Sequence, residues 1–570
     1  MFLNTVKKLL SVILTAVLIV SVFSGCSKGN KKLDFIFPFS EDINSYDPQI
    51  ASTSDEYLLI ENIFEGLIRI DDDGTVKNGC AESYEISGNG LKYTFKIKKG
   101  LKWDITTDKY KTGNRKGEYK DRRLRFLGYD FNPEITANDF VFALQRACLP
   151  ETNSPMFPSV SAIKNAVAVN SGKMNVSALG VSAPDDYTLV IELSAKDDTF
   201  LETLTTSVAM PCNKEFFEAT KGRYGLDIKY TLFNGQFYLD QILQESYLLK
   251  KNEEYKGPSP AKADELTLKI INPEDEKDSK KSTVARLKSG YYDAALITGS
   301  EYEALGNESN ISFTPYGDTT WVMLFNPNNE VLQSKNMRKA FCFGLSQIDK
   351  ADKEYLSGAT TFVPKSCKLG SKSVSEAIGS TVSGQKTEKS IELWKEGLEV
   401  LGTTNIDITI IATKDIENGL KAALQGIQSG ISSINKNSKG DTIDYSIKVE
   451  TLELSELETR LAKKDYDIAL YPYKAVSTSP ITYLKEFSKK NRTGFNSTKF
   501  DAELLAAENA KSTDEALGHI KQAEKELLSS YTLYPLISET SYYAAAENVS
   551  GVQFHAGSGR ISFVSANRKD

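Results

Sequence analysis

Histidine is almost missing from this chain. Of 570 residues only two are histidines, His519 and His555, and neither stands at a metal-ligand spacing. Ser-His-Asp, Cys-His and H-E-x-x-H centres therefore lack their key residue. Cysteine is scarce too: Cys26, Cys80, Cys148, Cys212, Cys342 and Cys367 contain no C-x-x-C. Neither a zinc knuckle nor a redox pair is indicated. The five that follow Cys26 are far apart and odd in number. They read as buried single thiols acting as small apolar residues, with room for one disulfide. No G-x-x-x-x-G-K-[ST] loop occurs, which excludes a P-loop ATPase. An excess of basic charge is absent as well. Lys and Arg total 69 against 76 acids, a net charge of −7, which argues against nucleic acid as a partner. A carboxylate pair for glycoside hydrolysis cannot be singled out among 76 acids. The expectation is a non-enzyme with no cofactor and no metal. A surface glycosidase stands as the contrary reading.

What is present begins at the N-terminus. Lys7 and Lys8 precede an apolar run from Leu9 to Phe23, followed by Ser24, Gly25 and Cys26. The run is short for a spanning helix, which needs ~20 residues. A cleaved secretory signal over 1–25 is the better reading, and an uncleaved anchor is the alternative. Phe23-Ser24-Gly25-Cys26 resembles a bacterial lipobox, with Phe23 where an aliphatic residue is usual. Acylation of Cys26 would tether the chain outside the cell membrane, since several acyl chains hold where one does not. Residues 26–32 read as a polar tether. Loss of Lys7 and Lys8 with the signal makes the net charge two units more negative.

At 570 residues the chain exceeds one hydrophobic core, so several lobes are expected. Strand and helix signals alternate along it. Leu33–Phe37 alternates as a short strand. Tyr57, Ile60, Ile63, Phe64 and Leu67 recur at helical spacing behind Ser54. Tyr93–Lys98 and Tyr187–Leu193 are strict alternations. Residues 104–133 form a polar, Lys/Arg-rich surface insertion whose basic run reads as solvated. Thr136 and Asp139 form a capping-box variant opening a helix that Pro150 stops. A polar helix is expected within 273–290, then a strand over Asp293–Ile297 buried on both faces. The second half shows strands at Trp321–Phe325, Ile406–Ala412 and Tyr466–Tyr471. It shows helices at Lys335–Leu345 and, broken near Thr513, across Phe500–Leu528. The pattern is α/β with mixed sheets in more than one lobe.

Binding is the function left open. Tyr471-Pro472-Tyr473 directly follows a buried strand, and Trp321 opens another. Strand ends beside a cleft are favoured ligand positions, and rings are suited to covering a ligand. Core or lobe-interface packing of all three rings is the plainer alternative.

Taken in order, these segments resemble the oligopeptide/dipeptide-binding receptors of peptide ABC importers, solute-binding family 5. Ser45-Tyr46-Asp47-Pro48 with Asn62-Ile63-Phe64-Glu65-Gly66-Leu67 is similar to that family's opening. Tyr93-Thr94-Phe95 through Lys102-Trp103 matches its next strand. Thr136-Ala137-Asn138-Asp139-Phe140 with Gln145-Arg146-Ala147 matches its following helix. Phe233-Asn234-Gly235-Gln236-Phe237, Ser289-Gly290 with Asp293, Met337-Arg338-Lys339-Ala340 and Tyr534-Pro535-Leu536 continue the series.

The resemblance implies a two-lobed α/β periplasmic-binding-protein fold of class II-like type with an extra domain. Lobe I would comprise 33–70, 186–297 and 543–570. The additional domain would be 71–185 and lobe II 298–542, with the chain crossing near Ile297 and Tyr542. A peptide or peptide-like ligand would lie between the lobes and be handed to ABC importer permease subunits. The receptor would be a monomer on the extracytoplasmic face of the membrane. Ligand-binding positions would be Ser52, Trp321, Tyr471, Tyr473, Lys474 and Val476. The family's ammonium-pairing aspartate falls at Val476, so either another acid substitutes or the ligand lacks a free amino terminus. The same fold could serve an oligosaccharide or a signalling peptide, or a surface lipoprotein without an importer.

Overall fold

A computed structural model describes residues 32–569, apart from 40–42, 72–74, 106–108, 110, 112–115, 119, 128–130, 198–199, 307, 347–353, 370–371, 433–441, 476–477, 489–490, 509, 511 and 556–559. The expected signal segment, Cys26 and Val476 therefore lie outside the described residues. Among those described, no helix is long and apolar enough to cross a membrane.

The first body is built on a four-stranded mixed sheet. Asp34–Phe39 runs parallel to Glu265–Ile270, which pairs antiparallel with Ser246–Lys251, and that strand with Phe237–Leu243. The alternation of Asp34–Phe39 sends Phe35, Phe37 and Phe39 into the core, where Phe35 and Phe37 meet the ring of Phe563. The helix Ser54–Ile63 packs over this region. Thr53, one residue before the expected start, caps it in a reciprocal box with Glu56. Phe64 and Leu67 lie beyond its end but stay buried.

A second four-stranded antiparallel sheet joins Ala81–Ile86, Lys92–Ile97, Thr188–Glu192 and Val181–Asp185. Thr188–Glu192 belongs to this sheet although it lies beyond residue 185, where the sequence ended the additional domain. The helix Ala137–Cys148 covers the sheet, and its Thr136–Asp139 box forms as expected. Both sheets contribute to one continuous core cluster.

The 104–133 segment is anchored rather than merely solvated. Arg122 and Arg125 are exposed, but Arg123 is buried between Asp104 at 2.9 Å and Asp121 at 2.7 Å. It also donates to the backbone carbonyl of Thr231. Two carboxylates and a carbonyl compensate the desolvation of one guanidinium. The polar run of 273–290 likewise forms two short helices, Pro273–Glu276 and Thr283–Lys288, instead of one.

The second body holds the largest sheet, in the order Ala294–Ile297, Leu533–Ala546, Ile311–Phe325, Ile468–Lys474, Asn405–Thr413 and Asp444–Leu452, with Leu356–Gly358 pairing on Leu533–Ala546. Asn405–Thr413 is parallel to both its neighbours, so this sheet is mixed. Ala294–Ile297 is an edge strand of this sheet, although the sequence assigned it to lobe I. Apolar clusters cover both faces. The 14-residue strand Leu533–Ala546 starts among these clusters and ends in the first body's core with Tyr543 and Ala545. Cys80, Cys148, Cys212, Cys342 and Cys367 are all buried and unbridged, and burial pushes the Cys148 and Cys212 thiols up to about 12.

Candidate functional site

The two bodies meet along a seam beside the exit of the Ile468–Lys474 strand. Ser479 caps a short helix, Pro480–Lys485, that starts just beyond this exit. Lys485 Nζ lies 3.3 Å from Ser161 Oγ of the first body and also pairs with Glu508. Thr478 shares a side-chain hydrogen bond with Glu202 of the first body, whose carboxyl is raised by burial and by Asp197 and steadied by Lys368. Lys368 N donates to the carbonyl of Thr478 at 2.8 Å. At the other end of the seam, Phe554 packs edge-on to Tyr316 and stacks on Tyr543.

Antiparallel pairing brings four of the expected residues together. Trp321 stands opposite Pro472, Val322 opposite Tyr471, Thr320 opposite Tyr473 and Thr319 opposite Lys474. Because partners across a ladder share a face, Tyr471 and Tyr473 project to one side and Trp321 and Lys474 to the other. Tyr473 is buried against Phe362 and Phe487. Tyr471 is half-buried under the Arg492 guanidinium, 4.4 Å from its ring centre. Trp321 is buried and its indole N–H donates to Glu539 Oε2 at 2.7 Å. The three rings thus have packing roles whatever else they do. Lys474 is part-exposed and lies 3.6 Å from Asp318. Ser52 stands apart in the first body, exposed, with its backbone N–H and hydroxyl turned to Glu56 Oε2.

Sequence reasoning did not find Asp318, Glu202, Ser161 or Lys485. Nothing marks them in a chain with 76 acids, because what sets them apart is the segment that folds against them. A separate cavity of about 20 Å³, water-sized, lies within the first body. Glu65, Arg69, Gln236 and Arg560 are among its lining residues. Burial raises the Glu65 carboxyl to about 7 despite hydrogen bonds from Tyr255 and Gln236.

Two α/β bodies, bridged by a long shared strand and facing each other across a seam, define a two-lobed solute-binding protein. The chain belongs to the bacterial extracellular solute-binding proteins, family 5, whose sequence profile matches residues 75–495. It is 23% identical over 557 residues to a dipeptide-binding protein of Lactococcus lactis subsp. cremoris, covering 93% of each chain. The solved substrate-binding domain of a Bacillus anthracis oligopeptide ABC transporter superposes with a TM-score of 0.72 at 24% identity, over 95% of this chain and 100% of that one. Listeria monocytogenes OppA bound to peptide gives 0.73 at 19% identity with the same coverage. At such identities the structural likeness establishes the fold.

Proposed function

We propose that this protein captures a peptide or peptide-like solute between its two bodies and delivers it to an ABC importer, held to the outer face of the cell membrane through an acylated Cys26. The observation that carries the reading is the seam: two independently packed bodies meet beside the end of the Ile468–Lys474 strand, in a family whose members bind solutes. Names of relatives support peptide as the solute, since the Lactococcus protein is a dipeptide-binding protein and the Listeria structure holds a peptide. A strand end offers backbone groups that hold an extended peptide regardless of its sequence. Ser52, Trp321, Tyr471, Tyr473, Lys474 and Val476 are the proposed contacts. The proposed hinge runs through Ala294–Ile297 and the end of Leu533–Ala546, where one strand enters both cores. Receptor monomers and importer permease subunits complete the proposed system.

Calorimetric and thermal titration with a mixture of two- to five-residue peptides tests this. At a hundredfold excess over Kd, a ligand of the folded state adds about 2.7 kcal/mol, visible as a higher melting temperature. No heat and no shift at any peptide length would sink the peptide reading. Membrane partitioning lost in a Cys26→Ala variant tests the anchor.

The seam contacts predict a second result. Replacing Lys485 with alanine and Glu202 with glutamine removes the side-chain links between the bodies at Ser161 and weakens the one at Thr478. Each is a modest polar contact of about 1 kcal/mol. The double variant should release ligand several-fold faster and show a larger radius of gyration by X-ray scattering. Unchanged off-rates and scattering would show that these contacts do not hold the bodies together.

A further inference from the structure

We propose that Asp318 is the group that receives a cationic amine of the bound solute, with Lys474 as its resting partner. This rests on the solute-binding reading and names the chemistry that the site selects.

Asp318 is 1% exposed, yet it is poorly satisfied. Its Oδ1 accepts from Thr319 Oγ1 at 2.8 Å, while its Oδ2 accepts no hydrogen bond among the described residues. The cation paired with that oxygen, Lys474 Nζ, is 3.6 Å away, beyond hydrogen-bonding distance. A buried carboxylate normally collects donors on both oxygens, because leaving one bare is costly. Two buried hydroxyls close by in the chain fold are also without partners: Thr320 Oγ1 and Ser366 Oγ. Ser366 is tied to this corner by its backbone N–H, which donates to the Gly317 carbonyl at 2.9 Å.

The place is as telling as the deficit. The Asp318 carbonyl accepts from Ala475 N at 2.8 Å, so the carboxylate sits beside the strand exit that leads to Thr478 and the seam. A cluster of one carboxylate oxygen and two hydroxyl oxygens asks for a donor with several N–H groups. An ammonium supplies three. One carboxylate is too few for a calcium site, which needs six to eight oxygens. Lys474 is suited to yield: its side chain is 43% exposed and flexible, so its ammonium can return to water when another takes its place.

The test compares alanine peptides of two to five residues with free and with N-acetylated amino termini, titrated into the full chain. The wild-type protein should bind the free-amine form ten- to a hundredfold more tightly, the scale of one charge-assisted hydrogen bond. Asp318→Asn should bring the two forms within about threefold. Lys474→Gln, a part-exposed substitution that also covers the case of an unfolded Asp318 variant, removes the internal competitor. It should strengthen the free-amine form several-fold and leave the acetylated form unmoved. Equal binding of both forms by the wild type, or discrimination retained in a folded Asp318→Asn protein, overturns the inference while leaving peptide capture standing. Failure of every peptide to bind would remove both.

Discussion

Replacing Arg146 with alanine should destabilise the first body by about 3–5 kcal/mol, the largest single-residue effect expected in this protein. Arg146 is 5% exposed and holds both oxygens of Asp47, which is 2% exposed. It also donates to Gln49 Oε1 at 2.7 Å and lies 4.1 Å from the ring centre of Phe217. Truncation would leave the Asp47 carboxylate buried with no cation, and that uncompensated charge is what costs. Most of the loss should therefore vanish when the charge goes too. The double variant Asp47→Asn, Arg146→Met should lose clearly less than the sum of the two single changes. Urea unfolding followed by a probe in the first body measures this, since the two bodies need not unfold together. A truncated protein within about 0.5 kcal/mol of wild type would refute the account.

The second large effect is a pair of opposed titrations in the first body. Burial raises the Glu65 carboxyl to about 7, with Arg69 opposing the shift and Glu61 adding to it. The folded state then binds a proton that the unfolded chain releases near 4.5. Stability from the neutral form is complete below that pH and lost as pH rises through about 7. His555 runs the other way. Burial and Arg560 depress it to about 4, against Asp71, so its stabilising neutral form is lost as pH falls from about 6.5 through 4. Each shift corresponds to roughly 3 kcal/mol at most. In the wild type the two slopes oppose over the same range and largely cancel. Glu65→Gln should uncover the histidine slope, so that stability rises from pH 4.5 to 7 by about 2–3 kcal/mol more than in wild type. His555→Gln should uncover the reverse. Parallel pH–stability curves for wild type and Glu65→Gln would contradict this assignment.

The same residues mark what could be read in advance. Asp47 and Arg146 both stood in segments that resemble the family, but 99 residues separate them and nothing local pairs them. Arg123 read as one member of a solvated basic run, because a charge looks solvated until two carboxylates fold around it. The polar stretch 273–290 matched helical spacing but breaks into two turns of helix, with Thr283 N held by the Glu276 carboxylate across the break. Tyr471, Tyr473 and Trp321 were read as ligand-facing or packed. The ladder register put them on two faces and gave each a packing partner.

From sequence alone came the elements with a local cause: the alternating strands Lys92–Ile97 and Thr188–Glu192, the Thr136–Asp139 cap, the two-helix stretch ending at Ser529, and the α/β class with its family. Periodicity and capping depend on neighbours within a few residues, so the order of amino acids suffices to specify them. Only the tertiary structure decided that Ala294–Ile297 joins the second body's sheet, that Lys485 reaches Ser161, and that Asp318 is left with a bare oxygen beside Lys474. Those facts depend on burial and on partners far away in the chain, which exist only once the two bodies have packed.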